Sequence, residues 1–458
     1  MEFFLVKINT FLVIALLFRS CSLPNRVTNR GDWKKDSLIA ASQAGARPVF
    51  FNPSDPRTAD ISPGKFNDSC ECNIRSGLPN FFYKANNTKR VTIGYIGGSI
   101  TRAENMYRNQ SAKFIQEMFP DVKMKAINAG IAGTGTDLGA CRIKEQLLRY
   151  HPDLIFIEFA VNGAFCPGME GMVRQIWTFD SSVDICFLYT ISDGQDAIYE
   201  GGKVPKNIQR LEEIAYHYGI PSIHMGLYPS FLEKSGKLIW KGSTASGKKK
   251  IVFSEDGIHP LPVGGNLYAA SIARAFIKMR ENGHITLHYV PVPLIADNWQ
   301  DATMLTPQNL ATFSKGWIAI DPNKFDSLKS FKPWFPVIMK SAKPGSSFSF
   351  RFRGNMVGLF DVGGPEMGAL ILQVDGKKIK ELNRFNRYCN NRYRGQCSFV
   401  SLPAGEHTVR FILSPDKLNK TIILGSSQLD DINRHPGRYD QTEELLGKIL
   451  IRGEILDY

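Results

Sequence analysis

No stretch of this 458-residue sequence is apolar over the ~20 residues that a helix needs to cross a bilayer, so a bundle of membrane helices is excluded. Cysteine is sparse. Eight are present; with Cys21 set aside seven remain, an odd number that cannot all pair within one chain, so this is no disulfide scaffold. Cys70-Glu71-Cys72 lacks the second pair that a structural zinc site would need. Low-complexity tracts and internal repeats are missing, which removes solenoid, collagen-like and wholly disordered architectures. A P-loop lysine is missing as well, and with it the usual nucleotide-triphosphate chemistry.

What is present begins with charge. Lysine and arginine number 56 against 43 acidic residues, a formal +13 that suits an acidic polymer, an anionic membrane surface or nucleic acid. The N-terminus narrows that choice. A charged start, the apolar stretch 11–18 and then Arg19-Ser20-Cys21-Ser22 read as an export signal over residues 1–22. Cys21, preceded by a small residue, fits the lipidated cysteine of a bacterial lipoprotein; plain cleavage is the open alternative. Export argues against a nucleic-acid partner. It predicts a periplasmic, cell-surface or secreted protein, with a lipid anchor to the membrane if Cys21 is acylated.

Residues 23–45 are polar and irregular, as a spacer is. Residues 46–90 carry Phe50-Phe51 and Phe81-Phe82-Tyr83, too many aromatics for a free linker, and are expected to pack on the domain that follows. From residue 91 short apolar runs (91–96, 122–127, 154–161, 183–190 and 222–225) alternate with helical periods at 106–118, 138–150, 171–178, 204–218 and 263–281. Continuous apolar strands between helices predict a parallel sheet covered on both faces, occupying residues 91–290. After residue 290 the pattern changes to strands alone. Residues 347–353 and 405–411 alternate apolar with polar, and Asp375-Gly376 marks a turn, so residues 291–458 are expected to form an antiparallel β-sandwich.

Ligands of an open parallel sheet bind outside the carboxyl ends of its strands, so the reactive residues to weigh are those that follow each apolar run. After the first comes Gly97-Gly98-Ser99-Ile100-Thr101, a sharp turn that presents a serine at the start of a helix. The second is followed by Asn128-Ala129-Gly130-Ile131-Ala132-Gly133-Thr134-Gly135, where a glycine N–H can face an oxyanion. Its G-x-x-G-x-G spacing differs from the dinucleotide fingerprint. The third ends in Asn162-Gly163, whose side-chain amide can serve the same oxyanion. Much later, Asp256-Gly257-Ile258-His259 puts a carboxylate three residues before an imidazole on a tight loop, the pairing that orients a histidine toward a serine. Each motif alone is ordinary turn or cap chemistry; in this order, at these places, they form a set.

Together the four blocks resemble the SGNH hydrolases, also called GDSL esterases, over roughly residues 90–285, matching at Ser99, Gly133, Asn162, and Asp256 with His259. The resemblance implies a flavodoxin-like three-layer α/β/α domain with a parallel sheet. It implies Ser99 as nucleophile, His259 as base and Asp256 as the group that orients the histidine. The oxyanion hole would be formed by Ser99, Gly133 and Asn162, with no cofactor or metal. Two positions depart from the family: its usual Asp before the serine is Gly98 here, and the Asp that often follows the asparagine is Gly163. Both bear on substrate positioning near the serine. Gly-Gly-Ser with a trailing, jelly-roll-like sandwich is similar to carbohydrate-esterase branches, which implies removal of O-acetyl or similar acyl groups from a polysaccharide or oligosaccharide. A lipid or small-ester hydrolase and a non-catalytic glycan-binding lipoprotein are the alternatives.

Between residues 377 and 394 basic and aromatic residues interleave, and Arg384, Arg387 and Tyr388 are candidates for gripping an acidic glycan. The competing reading is a solvated hairpin whose aromatics fill the sandwich core. Cys389 and Cys397 are spaced to close one loop by a bridge. His151, His217, His224 and His407 show no metal-ligand pairing and are expected to be structural or exposed.

Overall fold

A computed structural model describes residues 45–46, 49–243, 250–280 and 283–457. The expected export signal, Cys21 and nearly all of the 23–45 spacer lie outside the described residues. Among those described, no helix is long and apolar enough to cross a membrane.

The chain first lays down β1 (Phe50–Phe51), β2 (Cys72–Asn73) and α1 (Pro79–Asn87). There follow β3 (Arg90–Gly97), α2 (Ser99–Arg102), α3 (Tyr107–Met118), β4 (Lys123–Gly130), α4 (Thr136–Gln146), β5 (Leu154–Glu158), α5 (Cys166–Phe179) and β6 (Asp184–Tyr189). The domain is completed by α6 (Asp196–Glu200), α7 (Lys206–His217), β7 (Ser222–His224), α8 (Leu227–Lys234), β8 (Leu238–Lys241), β9 (Ile251–Ser254) and α9 (Pro262–Met279). Strands β4-β3-β5-β6-β7 pair in parallel in that order. Counted from the first parallel strand this is 2-1-3-4-5, the flavodoxin-like arrangement, with its topological switch point between β3 and β5. The segment before β3 caps both edges: β1 pairs antiparallel with β4, and β2 with β7.

Strand composition explains the layering. Every residue of β5, Leu-Ile-Phe-Ile-Glu, is buried, as helices on both faces of a sheet demand. Helix α5 starts five residues before the expected 171–178, because Pro167 in its first turn lacks only an N–H that no helix turn would use there. The short parallel pair β8 and β9 was not foreseen. Trp240 stacks on Phe253 with ring centroids 4.2 Å apart and donates its indole N–H to the carbonyl of Gly257, so this pair braces the loop that leaves β9.

The C-terminal half is antiparallel: β10 (Ala302–Leu305), β11 (Thr312–Phe313), β12 (Trp317–Ile320), β13 (Ile338–Ser341), β14 (Ser347–Gly363), β15 (Ala369–Val374), β16 (Lys377–Asn383), β17 (Arg394–Leu413) and β18 (Glu444–Leu456). They join into one nine-stranded sheet ordered β12-β13-β18-β14-β17-β15-β16, with β10 on β18 and β11 on β14. The register of β14 slips at Gly354/Met356 against both neighbours, where Gly354 faces Gly405 and Gly453 and a Cβ would collide with the Arg452 carbonyl. The slip switches which parity points where. Phe348, Phe350 and Phe352 before it, and Val357 and Leu359 after it, fill the sandwich core. Met356, Phe360 and Val362 instead join the apolar cluster that is continuous with the α/β domain.

Polar contacts tie the two halves further. Lys448 reaches Glu145 of α4 at 2.9 Å; within the C-terminal half, Arg452 lies over Trp299 while bonding Asp297 and Asp301. Cys389 and Cys397 are both free thiols, so no bridge closes that loop.

Candidate active site

The switch point is where the candidate residues meet. Ser99 begins α2 directly after β3 and Gly98, and Asn162 follows β5 on the other side of the crevice. Gly98 leaves room for its neighbour, since a Cβ there would lie 2.3 Å from Asn162 Oδ1. The loop after β4 is held against the serine turn by the Ile131 N–H donating to the Gly97 carbonyl at 3.0 Å. Buried Arg142 of α4 donates to the carbonyls of Ala129 and Gly97, clamping both turns from below. Gly133, on that loop, takes φ = +70°, a backbone state that glycine adopts without a steric penalty.

From β9 the chain turns through Asp256-Gly257-Ile258-His259. Gly257 at φ = +86° makes the turn tight enough for one carboxylate oxygen, Asp256 Oδ1, to accept the backbone N–H groups of Ile258 and His259, both at 2.8 Å. Ser254 Oγ donates to the same oxygen at 3.0 Å. The other oxygen, Oδ2, lies 2.6 Å from His259 Nδ1, and His259 Nε2 lies 2.7 Å from Ser99 Oγ. Burial pushes the Asp256 carboxyl up, but its bonds to the His259 side chain and backbone and to Ile258 outweigh burial and hold it well below the usual carboxylate range. An ionised Asp256 accepts from Nδ1–H and leaves Nε2 as the acceptor for the serine proton, the tautomer that a general base requires.

Ser99, Asp256 and His259 are thus brought into one hydrogen-bonded line, with Asn162 beside Gly98 and the Gly133 loop pinned to Gly97. Arg384 is a correction. It is buried, and its guanidinium makes a two-pronged pair with buried Asp361 at 2.7 Å per bond, so it holds the β domain together internally and presents nothing to a ligand. Arg387 and Tyr388 stay partly exposed on a short turn, the guanidinium 5.0 Å from the Tyr388 ring. His224 is buried against the Tyr199 hydroxyl, His407 bonds Asp375, His217 bonds the Val292 carbonyl and His151 packs on Phe179. Ser254, which steadies Asp256, and Glu158, beneath α2, went unnoticed in the sequence. For Glu158 a signal existed: one acid inside the apolar run Leu-Ile-Phe-Ile-Glu-Phe-Ala-Val.

No protein-family model matches the sequence, and no curated protein matches it. Solved structures do. In fold, a parallel α/β domain with a serine turn at its switch point joined to an antiparallel β domain, the chain is similar to solved two-domain structures. Its similarity is to a two-domain esterase active on acetylated mannans, co-crystallised with mannopentaose, with TM-score 0.62 and 19% identity over 83% of this chain and 95% of that one. A second crystal structure, of a two-domain esterase active on acetylated mannans, gives TM-score 0.62 at 18% identity, covering 83% and 96%.

Proposed function

We propose that this protein is a serine esterase that removes O-acetyl or similar acyl groups from a polysaccharide or oligosaccharide. The observation that carries the reading is the unbroken line Ser99 Oγ, His259 Nε2, His259 Nδ1, Asp256 Oδ2, with contacts of 2.7 and 2.6 Å. His259 takes the proton of Ser99 as its oxygen attacks the ester carbonyl. The N–H groups of Ser99 and Gly133 and the side-chain amide of Asn162 receive the oxyanion. His259 returns the proton to the leaving sugar hydroxyl, and water then releases the acyl group by the same route in reverse. Likeness in fold to an esterase active on acetylated mannans supports a glycan ester over a lipid. The charge of +13 supports an acidic glycan, and the N-terminal pattern an exported protein, lipid-anchored if Cys21 is acylated.

The test is acetate release from a panel of acetylated neutral and acidic polysaccharides by the purified protein and its Ser99→Ala variant. Release that disappears in the variant is expected. Glycan binding without release in either protein would replace the esterase reading with a binding protein.

A further inference from the structure

Glu158 ends β5 with its side chain wholly out of solvent. Two hydroxyls close on its carboxylate, Thr101 Oγ1 on Oε2 at 2.9 Å and Thr190 Oγ1 on Oε1 at 2.5 Å. Thr101 has a single hydroxyl proton. Given to the carboxylate, it leaves the oxygen free to accept from the Tyr107 hydroxyl at 2.7 Å, so every proton in the chain runs toward Glu158. That direction suits an ionised carboxylate.

Placement gives the cluster its meaning. Thr101 lies on α2 two residues after Ser99, and Thr190 directly follows β6, so Glu158 fastens the serine's helix to the central strands. The titratable groups facing it are Tyr107 from α3, Tyr268 from α9 and His259 from the loop after β9. Burial pushes both tyrosine hydroxyls up, and they stay neutral. Burial also pushes the Glu158 carboxyl up, and the Thr190 and Thr101 hydroxyls and attraction to His259 offset only part of that rise. His259 itself is hydrogen-bonded to Asp256 and Ser99.

We propose that Glu158 is a positioning residue of the Ser99 site: through Thr101 it fixes the helix that presents the nucleophile, and its buried negative charge favours the imidazolium that His259 becomes. The inference rests on the esterase reading for its kinetic consequences and on electrostatics alone for its titration. A fixed charge in a site shielded from water acts more strongly than the same charge in solvent, and it needs no reorganisation during the reaction.

Glu158→Gln keeps the shape and removes the charge. The expected result is a kcat lowered roughly 10- to 100-fold with KM nearly unchanged, and an acid limb of the kcat/KM profile moved to lower pH by ~0.5 unit or more. NMR titration of the His259 ring in the Ser99→Ala background, with and without Glu158→Gln, reads the same coupling with no turnover and so is independent of what the substrate is. A lower midpoint in the Gln variant supports the proposal. An unmoved midpoint, even with activity lost, overturns it and leaves Glu158 a packing residue. If Glu158→Gln does not fold, Thr101→Val and Thr101→Ser are assayed instead: a kcat lowered in the valine variant and restored in the serine variant supports the proposal, and an unchanged kcat in the valine variant overturns it.

Discussion

Gly98 and Asn162 occupy each other's space: the side-chain amide fills the volume a Cβ on Gly98 would need, at 2.3 Å from Oδ1. With the Asn162 side chain in this position, the residue before Ser99 has no room for a Cβ. Gly98→Ala should push the Asn162 amide away from the oxyanion position. Loss of such a donor lowers kcat by about 10²–10³ with little change in KM, and steady-state kinetics on a small acetyl ester would measure it. Unaltered kcat would remove Asn162 from the oxyanion hole.

Asp256 is held low in the folded protein, whereas an unfolded aspartate titrates near 3.9. The sign follows from that difference: its contribution to stability is present above pH ~4 and fades as pH falls through the depressed folded value. Asp256→Asn should therefore destabilise the protein at pH 7 by on the order of 1 kcal/mol, and the gap to wild type should narrow at pH 3. Urea unfolding at the two pH values checks this. Activity should drop at least ~100-fold, because the amide no longer fixes the tautomer.

Neighbouring arginines on the β domain should behave in opposite ways. Arg384→Ala strands buried Asp361 and is expected to cost about 3–5 kcal/mol of stability, with kcat/KM per folded molecule unchanged. Arg387→Ala and Tyr388→Ala, on the partly exposed turn, should leave stability alone. If that turn grips glycan, they raise KM on polymeric substrate and leave small-ester hydrolysis untouched. Thermal unfolding beside kinetics on both substrates separates the cases.

Because Met356, Phe360 and Val362 of β14 belong to the same apolar cluster as the α/β domain, the two halves should unfold together. Calorimetry on the full chain is expected to give one transition. A fragment ending at residue 290 should be poorly soluble, since it would expose the surface those side chains cover; two separate transitions would contradict the shared core.

The parallel sheet was readable because runs such as 154–161 are apolar at every position, the mark of a strand buried on both faces. The Ser, Gly, Asn and Asp-x-x-His blocks were readable because turn chemistry at strand ends leaves few places for a reactive group to stand. Arg384 was misread for a physical reason: hydropathy places an arginine at the surface, and the carboxylate that neutralises it is 23 residues away on β14. Ser254 was invisible because a serine near a strand end has many ordinary uses. The pair β8 and β9 was hidden because each strand has four residues, too few to establish a period.

The register slip beside Gly354 also bears on how this architecture can be inherited. With one extra residue against β18, β14 serves the sandwich on one face and the α/β domain on the other, so deleting a single position there would turn the second half of the strand over and offer each neighbour the wrong row. The β domain is therefore not a cassette to be exchanged for another of similar shape: a donor would have to bring the same irregularity at the same place in the strand.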